Sequence, residues 1–426
     1  MQNFFKKISL IIKDPSLRNR IIFVVVALVI FRLLSTIPIP GIDPLKLQAF
    51  FNSPTGDVFG LFNIFSGGGL SKLSIVMLGV GPYITASIVM QLLTMIFPKL
   101  KQMYQEEGEA GRAKFTQYSR LLTVPLALVQ GGGFLLLLEK SGVVSSLNSL
   151  EMITNIMVII GGSILLMWIG ELMTEFGIGN GTSLIIFAGI VARIPEFVSQ
   201  SLITFSPSQI PLYAAFAVVA LLVVLGVVIV SEAERPIPVT YAKRVRGSKV
   251  YGGVSTYLPL RVNQAGVIPI IFALSILLFP QMIFQYLTTA FSSGLVHTIS
   301  SAILAVLKNG WFYSIFYFIM VFLFTYFYTA VTFDPHAISE NLQKNGAFIP
   351  GVRPGQSTSE YIGKVLTRIT LVGATFLGLI AVLPLAMKAI TGVQSLAIGG
   401  TALLIVVSVV IDLMKKIDAQ VSMREY

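Results

Sequence analysis

The chain has 426 residues, of which 55% are hydrophobic and 12% are charged. Soluble domains carry about a quarter charged residues, so the composition excludes an ordinary soluble protein and indicates a membrane protein. A net charge of +11 also suits nucleic acid, but the basic residues flank apolar segments, where anionic lipid explains them first. Ribosomal RNA stays open as a docking surface.

Ten apolar segments, numbered here as spans one to ten, are each about 17–26 residues long. As helices they are long enough to cross a hydrocarbon core of about 30 Å. They centre on 21–37, 74–97, 118–138, 152–173, 182–198, 210–230, 266–287, 311–332, 366–387 and 396–414.

The basic residues alternate between the two sides of these spans. If the N-terminal side is called the in-side, the in-side segments hold 23 of the 30 Lys and Arg, the out-side gaps hold six, and Arg32 lies within span one. Basic residues near span ends are retained on the cytoplasmic side. We therefore expect an all-α inner-membrane protein with ten spans and both termini in the cytoplasm.

Signs of catalysis or of a cofactor are lacking in the sequence. The chain has no Cys, and its two His are far apart in loops. The nearest approach to a phosphate-binding loop, Gly363-Lys364, is followed by Val. We expect no enzyme, no catalytic residue, no cofactor and no metal, so that another component supplies any energy.

Arg32 is the clearest charge inside a span, and such a charge is a functional hypothesis by default. It precedes Pro38 by roughly 9 Å along a helix and can extend to the outer interface, which favours a structural role.

The chain divides into an N-terminal half, 1–205, and a C-terminal half, 206–426, with five spans each. An odd count inserts the second half in the opposite sense, and inverted repeats commonly place a substrate pathway at their interface. A secondary transporter for a small solute is therefore one alternative, although no coupling carboxylate lies within a span. A structural membrane scaffold is another.

The out-side gap at 53–74 holds an apolar patch too short to cross the bilayer. Asp57 is positioned to cap a short helix over 58–66, which ends at Gly67, Gly68 and Gly69. Two kinds of helix fit this patch. A re-entrant helix survives at membrane depth where protein or a water-filled cavity surrounds it, and an interfacial helix lies on the outer leaflet. Span two then opens with Gly79, Gly81 and Pro82, which permit a bend.

Two long in-side connections are candidate docking surfaces. The first, 231–265, carries β-branched and aromatic residues around the basic turn Arg246-Gly247-Ser248-Lys249, which predicts a two-stranded protrusion. The second, 333–365, combines a short polar helix at 336–345 with a Pro/Gly-rich tip that presents Arg353. Both far exceed the usual connection length of about 4–6 residues.

From about residue 3 to the end, the chain resembles the SecY/Sec61 alpha family, the channel subunits of the Sec protein translocase. Six long motifs in the family's order carry the resemblance: GVGPYITASIVMQLL (79–93), EEGEAGRAKFTQYSR (106–120), GIGNGTSLIIFAGIV (177–191), STYLPLRVNQAGVIPIIFA (255–273), NLQKNGAFIPGVRPGQST (341–358) and GGTALLIVV (399–407).

The resemblance implies a central pore closed midway by a ring of isoleucines, the pore ring. Its members are Ile84, Ile88, Ile186, Ile190, Ile271 and Ile405. An apolar constriction resists ions by dewetting, and the 84/88 and 186/190 pairs each share one helix face. It also implies a plug at about 57–69, hinged at the three glycines, with the plug residues Phe59, Leu61, Phe62, Asn63, Phe65 and Ser66.

A lateral gate is implied between spans two and three and spans seven and eight, with Gln91, Thr94, Asn263 and Gln264 as polar residues along it. Arg246, Lys249 and Arg353 would dock the ribosome or the SecA motor, and SecE and SecG would be membrane partners. The implied function is passage of unfolded secretory polypeptides across the bacterial inner membrane, with signal-sequence-bearing polypeptides as substrates and release of membrane segments into lipid. A plastid thylakoid membrane stays open as an alternative location.

Overall fold

The computed structural model describes residues 14–41, 46–47, 50, 66–140, 142–144, 148–195, 199, 210–241, 244–246, 249–251, 255–291, 293–391 and 399–422. Within these ranges the chain is mostly helical. Helices α1–α7 are Pro15–Leu34, Gly81–Ile96, Pro98–Gln105, Gly108–Lys140, Ser149–Phe176, Gly181–Val191 and Ile210–Glu232. Helices α8–α13 are Ile268–Ala290, Leu295–Lys308, Gly310–Thr332, Pro335–Lys344, Gln356–Thr391 and Gly399–Ser422.

Each of the ten predicted spans coincides with a helix. Among the described residues, five helices are long and apolar enough to cross a membrane, or six if the bent pair α2 and α3 is one span. The count of ten crossings stays a prediction, since α6 and α8 contribute only shorter apolar helices and neither α1 nor α13 is among the five.

Short polar side chains begin several of the helices. Asp14 accepts a hydrogen bond from the Ser16 backbone N–H (2.9 Å) and precedes Pro15, which lacks the N–H that a first helical turn leaves unused. Asn148 and Glu151 form a reciprocal capping box at α5. The Asn180 side chain accepts a hydrogen bond from the backbone N–H of Thr182 at the start of α6.

Several helix boundaries differ from the sequence prediction; α12, for example, begins at Gln356 rather than at the expected 366. Span two was expected over 74–97, but α2 begins only at Gly81, because Gly79 has φ +59° and Pro82 favours the first turn of a helix. Span five was expected over 182–198, but α6 ends at Val191 and a turn follows. Span three is longer than the expected 118–138, since α4 extends from Gly108 to Lys140.

The first in-side connection forms strands, as its composition predicted. Strands β1 (Glu234–Tyr241) and β4 (Ser255–Arg261) pair antiparallel, from Glu234 opposite Arg261 to Thr240 opposite Ser255. Beyond them β2 (Arg244–Arg246) pairs with β3 (Lys249–Tyr251), with Arg246 opposite Lys249. The sequence did not predict that β5 (Ala347–Phe348), from the second connection, adds a third strand beside β1.

The chain forms two compact units. The first comprises Met1–Tyr213, Ser275–Phe312 and Val409–Tyr426, and the second Ala214–Leu274 and Tyr313–Ser408. A core of the first unit joins residues 70–78 to the C-terminal part of α4 and the N-terminal half of α5, through buried side chains such as Met77, Phe134 and Ile159. A core of the second unit lies under the β-sheet, where Ile237, Leu260 and Ile362 are buried.

Candidate functional site

Residues 66–80 are non-helical backbone that is enclosed by protein. Leu70, Leu73, Val76 and Met77 are fully buried. Irregular backbone within an apolar protein needs internal hydrogen bonds. The residues that follow α1 form two with this segment: Ile39 N–H donates to Leu73 O (2.9 Å) and Ile75 N–H donates to Ile37 O (3.0 Å).

This segment also contacts α5 at very short range. A methyl group at Gly162 would lie 2.0 Å from Ile75 O, so only glycine permits the contact. The Ser163 hydroxyl donates to Gly79 O (3.2 Å) just before α2 begins. The sequence indicated a bend at the glycines of this segment but did not predict these partners.

The contact between Gly67 and Gly189 joins the segment to α6, and we call it the glycine contact. A methyl group on Gly189 would lie 2.2 Å from Gly67 Cα, and one on Gly67 would lie 2.3 Å from Phe31 Cζ. Gly67 has φ +67°, a conformation that favours glycine. Gly189 lies between Ile186 and Ile190 in the chain, so the segment approaches α6 directly beside two of the expected ring residues.

Arg32 has a defined role at this point. Its Nη1 donates a hydrogen bond to Gly67 O (3.3 Å), and it also lies close to Gly68, beside the Arg193 side chain. A guanidinium donor to a carbonyl oxygen is a charge-assisted hydrogen bond. The structure therefore supports the structural role favoured for Arg32. Its partner is the backbone carbonyl of Gly67 rather than the outer interface.

Only the last residues of the expected plug are described. Phe59, Leu61, Phe62, Asn63 and Phe65 lie outside the described residues, as does Asp57. Ser66 accepts a hydrogen bond from Leu70 N–H at its hydroxyl (3.1 Å), and Gly67, Gly68 and Gly69 follow in a chain of turns.

The six ring residues are distributed over four helices. Ile84 and Ile88 lie on α2 and Ile186 and Ile190 on α6, all in the first unit, whereas Ile271 on α8 and Ile405 on α13 belong to the second. Ile84 is half-buried and the other five are buried. Their assembly into one ring stays a prediction.

The expected gate residues differ in their surroundings. The Thr94 hydroxyl donates to Gln91 O (2.6 Å) within α2, while Gln91 Oε1 is buried without a hydrogen-bond partner among the described residues. Asn263 and Gln264 precede α8 in an irregular linker. Asn263 Oδ1 is likewise buried without a described partner, and the linker passes so close to Gly373 of α12 that a methyl group there would lie 2.6 Å from Val262 O.

The tip that carries Arg353 is firmly held. The Thr358 hydroxyl donates to Arg353 O (2.8 Å), and the Ser339 hydroxyl of α11 donates to Gly355 O (2.6 Å). The Arg353 side chain is exposed. Arg246 and Lys249 are register partners at the end of the β2–β3 ladder.

The apolar helices, with basic connections between them, define a multi-pass α-helical membrane protein. Residues 74–414 match the model of the SecY family. The protein translocase subunit SecY of Mycobacterium leprae is 42% identical over 97% of both chains, and that of Corynebacterium glutamicum is 41% identical over the same shares. The chain belongs to the SecY family.

Solved structures share the fold. The structure of a protein-conducting channel has a TM-score of 0.65 at 21% identity and covers 96% of this chain and 93% of its own. A SecY structure whose plug domain stabilises the closed state gives a TM-score of 0.64 at 20% identity, with the same coverage. Sec61 in the canine ribosome–channel complex of the endoplasmic reticulum gives 0.62 at 20% identity, also with 96% and 93% covered.

Proposed function

We propose that the chain is a protein-conducting channel. It passes unfolded secretory polypeptides across the cytoplasmic membrane and releases sufficiently apolar segments sideways into lipid. Family membership, at about 40% identity to translocase subunits along nearly the whole chain, is the observation that carries the proposal.

The physical reason for such a channel is the cost of exposed backbone. An extended polypeptide offers an unpaired N–H and C=O at almost every residue, and each costs several kcal/mol in hydrocarbon. A water-containing passage removes that cost. An opening towards lipid then lets segments partition by their own hydrophobicity, so the channel sorts by free energy and performs no catalysis of its own.

The pore ring would be the constriction of this passage. Isoleucine side chains repel water and ions but have no fixed polar geometry that would reject a passing chain. The enclosed segment 66–80 supports a plug beside the ring, because the glycine contact holds its first residues against α6. In this proposal the contact exists while the channel is at rest, and Gly67, Gly68 and Gly69 are the hinge.

The lateral gate would run between α2 and α4 on one side and α8 and α10 on the other, with Gln91, Thr94, Asn263 and Gln264 near it. The buried and unpaired oxygens of Gln91 and Asn263 support this assignment. An unsatisfied buried acceptor costs about 1–3 kcal/mol, so a donor from an arriving signal sequence would be stabilised there. The two halves, 1–205 and 206–426, would be the bodies that the gate separates.

The in-side connections would bind the components that supply energy. Arg353 stands exposed on a tip held by hydrogen bonds. The β2–β3 hairpin ends at Arg246 and Lys249, so basic residues occur at both places in the sequence. We propose SecA and the ribosome as their partners, SecE and SecG as membrane partners, and SecA, the ribosome or the proton-motive force as sources of energy. Both termini would lie in the cytoplasm, and the named relatives are bacterial, which favours a bacterial membrane over a thylakoid.

Crosslinking tests the channel most simply, because the chain has no Cys. Cys is placed at Ile186 or Ile271, and a secretory chain with one Cys is stalled during transport in proteoliposomes of the complete translocase. We expect a disulfide to the stalled chain. The matched control is Ile185→Cys, since Ile185 is equally buried but lies beside Gly170 of α5. Equal crosslinking at Ile185 and Ile186, or none at Ile186 and Ile271 in an active translocase, would contradict the proposal.

A further inference from the structure

Helix α9 exposes an apolar face that the channel proposal does not use. Leu295, Ile299, Ala302 and Val306 recur at helical spacing, so they share one face of the helix, and we call them the α9 stripe. All four are exposed, Leu295 by 81% of its surface. The expected ten spans left this stretch as a connection.

Of the other faces of α9, one is packed against protein and one is polar. Ser300 and Leu304 are buried, at 2% and 6% exposed. The Thr298 hydroxyl donates to Gly294 O (3.1 Å) and the Ser301 hydroxyl to Thr298 O (3.0 Å), so both are satisfied within the helix. The helix is therefore fixed on one side and directs an apolar stripe away from its packed side, at a cost of about 25 cal/mol for every Å² left in water.

Helix α10 follows α9 directly in the chain and exposes a face of its own that suits lipid. Asn309 accepts hydrogen bonds from the backbone of Trp311 (3.1 Å) and Phe312 (3.4 Å), so α10 begins at once after α9. Trp311 is 80% exposed, and exposed apolar residues follow it at four-residue steps, namely Ile315, Ile319 and Leu323. Helix α10 is long and apolar enough to cross a membrane, and Trp is enriched where such a helix meets the headgroups.

We propose that α9 is an interfacial helix, which lies in the headgroup region with the α9 stripe in the acyl-chain boundary and Trp311 at the same level. Amphipathic helices bind bilayers in this way, through buried apolar area and attraction to lipid headgroups. The sequence has no acidic residue from 235 to 333, so no carboxylate on α9 or its flanks repels lipid phosphate. The occupant of the stripe is therefore the lipid bilayer.

Spin labels test the depth of the stripe. Single-Cys variants Leu295→Cys and Ile299→Cys are made in the full chain, and the matched control is Thr298→Cys, which is exposed on another face of the same turn. Each carries a nitroxide and is reconstituted as one chain per nanodisc of phosphatidylcholine and phosphatidylglycerol. Collision rates are measured with oxygen, which enters lipid, and with a water-soluble nickel chelate.

We expect the ratio of oxygen to nickel collisions to be several-fold higher at Leu295 and Ile299 than at Thr298. A ratio equal to that at Thr298 would mean that the stripe faces water, and low rates with both reagents would mean that protein covers it. Either result overturns the proposal.

Tryptophan fluorescence gives an independent reading without labels. The chain has two Trp, so Trp168→Phe leaves Trp311 alone. Lipids brominated near the headgroup are expected to quench it more strongly than lipids brominated near the chain end. Stronger quenching by the deep bromines, or none by either lipid, would contradict an interfacial position.

Discussion

Substitution of Gly189 by Ala probes the glycine contact. The new methyl group would lie 2.2 Å from Gly67 Cα and 3.1 Å from Gly67 N. Both are backbone atoms, so no side-chain rotation relieves the overlap and α6 or the segment must move. Overpacking of this kind costs about 1–3 kcal/mol. If the contact exists only at rest, the resting state loses that amount of free energy relative to the open state. The equilibrium constant for opening then rises about 5–150-fold.

The matched control is Gly133→Ala in α4, where a methyl group would meet nothing within 4 Å. Both changes remove one helical glycine and gain up to about 1 kcal/mol of helix propensity. The difference between the effects of the two variants therefore reports the glycine contact alone. The assay is resting ion conductance of the complete translocase in planar bilayers without precursor. Gly189→Ala is expected to conduct more than Gly133→Ala and wild type.

Misfolding of Gly189→Ala would mimic a loss of function, so a second variant loosens the same contact without adding atoms. Phe31→Leu removes the ring tip that reaches Gly67, and we expect a smaller rise in conductance. The reasoning is refuted if both variants match the thermal stability of Gly133→Ala and also match its conductance.

The other predictions concern single interactions. Arg32→Gln removes the charge-assisted hydrogen bond to Gly67 O, worth about 1.5–3 kcal/mol, and should raise resting conductance; conductance equal to wild type would contradict the role given to Arg32. Arg353→Glu should slow SecA- or ribosome-driven transport without lowering the melting temperature, because the side chain is exposed; unchanged transport would contradict docking there. Leu260→Ala in the fully buried sheet core should cost about 2–5 kcal/mol of stability and slow transport while resting conductance stays at the wild-type value. Glu171→Gln breaks an ion pair to Arg120 (2.8 Å) whose arginine is 46% exposed, so denaturation should show a loss of at most about 1 kcal/mol.

The sequence predicted the features that depend on local pattern. Runs of apolar residues gave a helix at every expected span, and the β-branched residues around Arg246–Lys249 gave the β1–β4 hairpin. Local capping chemistry likewise gave α11, where Asp334 and Pro335 begin the short polar helix at nearly the expected residues.

What the sequence did not predict depends on non-local contacts. Nothing near Gly189 indicates that its partner is Gly67, although a small residue within an apolar span is a general sign of close backbone packing. Strand β5 has only two residues and forms because β1 offers a free edge. The backbone hydrogen bond from Ile75 N–H to Ile37 O, just before α2 begins, joins two residues that no local window contains.

The central claim is that the ring isoleucines seal the passage, and one comparison within α6 tests it. Ile185 and Ile186 are adjacent and equally buried, but Ile185 lies beside Gly170 of α5 whereas Ile186 is assigned to the ring. Ile186→Asn should raise resting ion conductance and allow export of a precursor with a defective signal sequence. Ile185→Asn should lower thermal stability without either effect. Equal conductance in the two variants, when both assemble, would contradict the account.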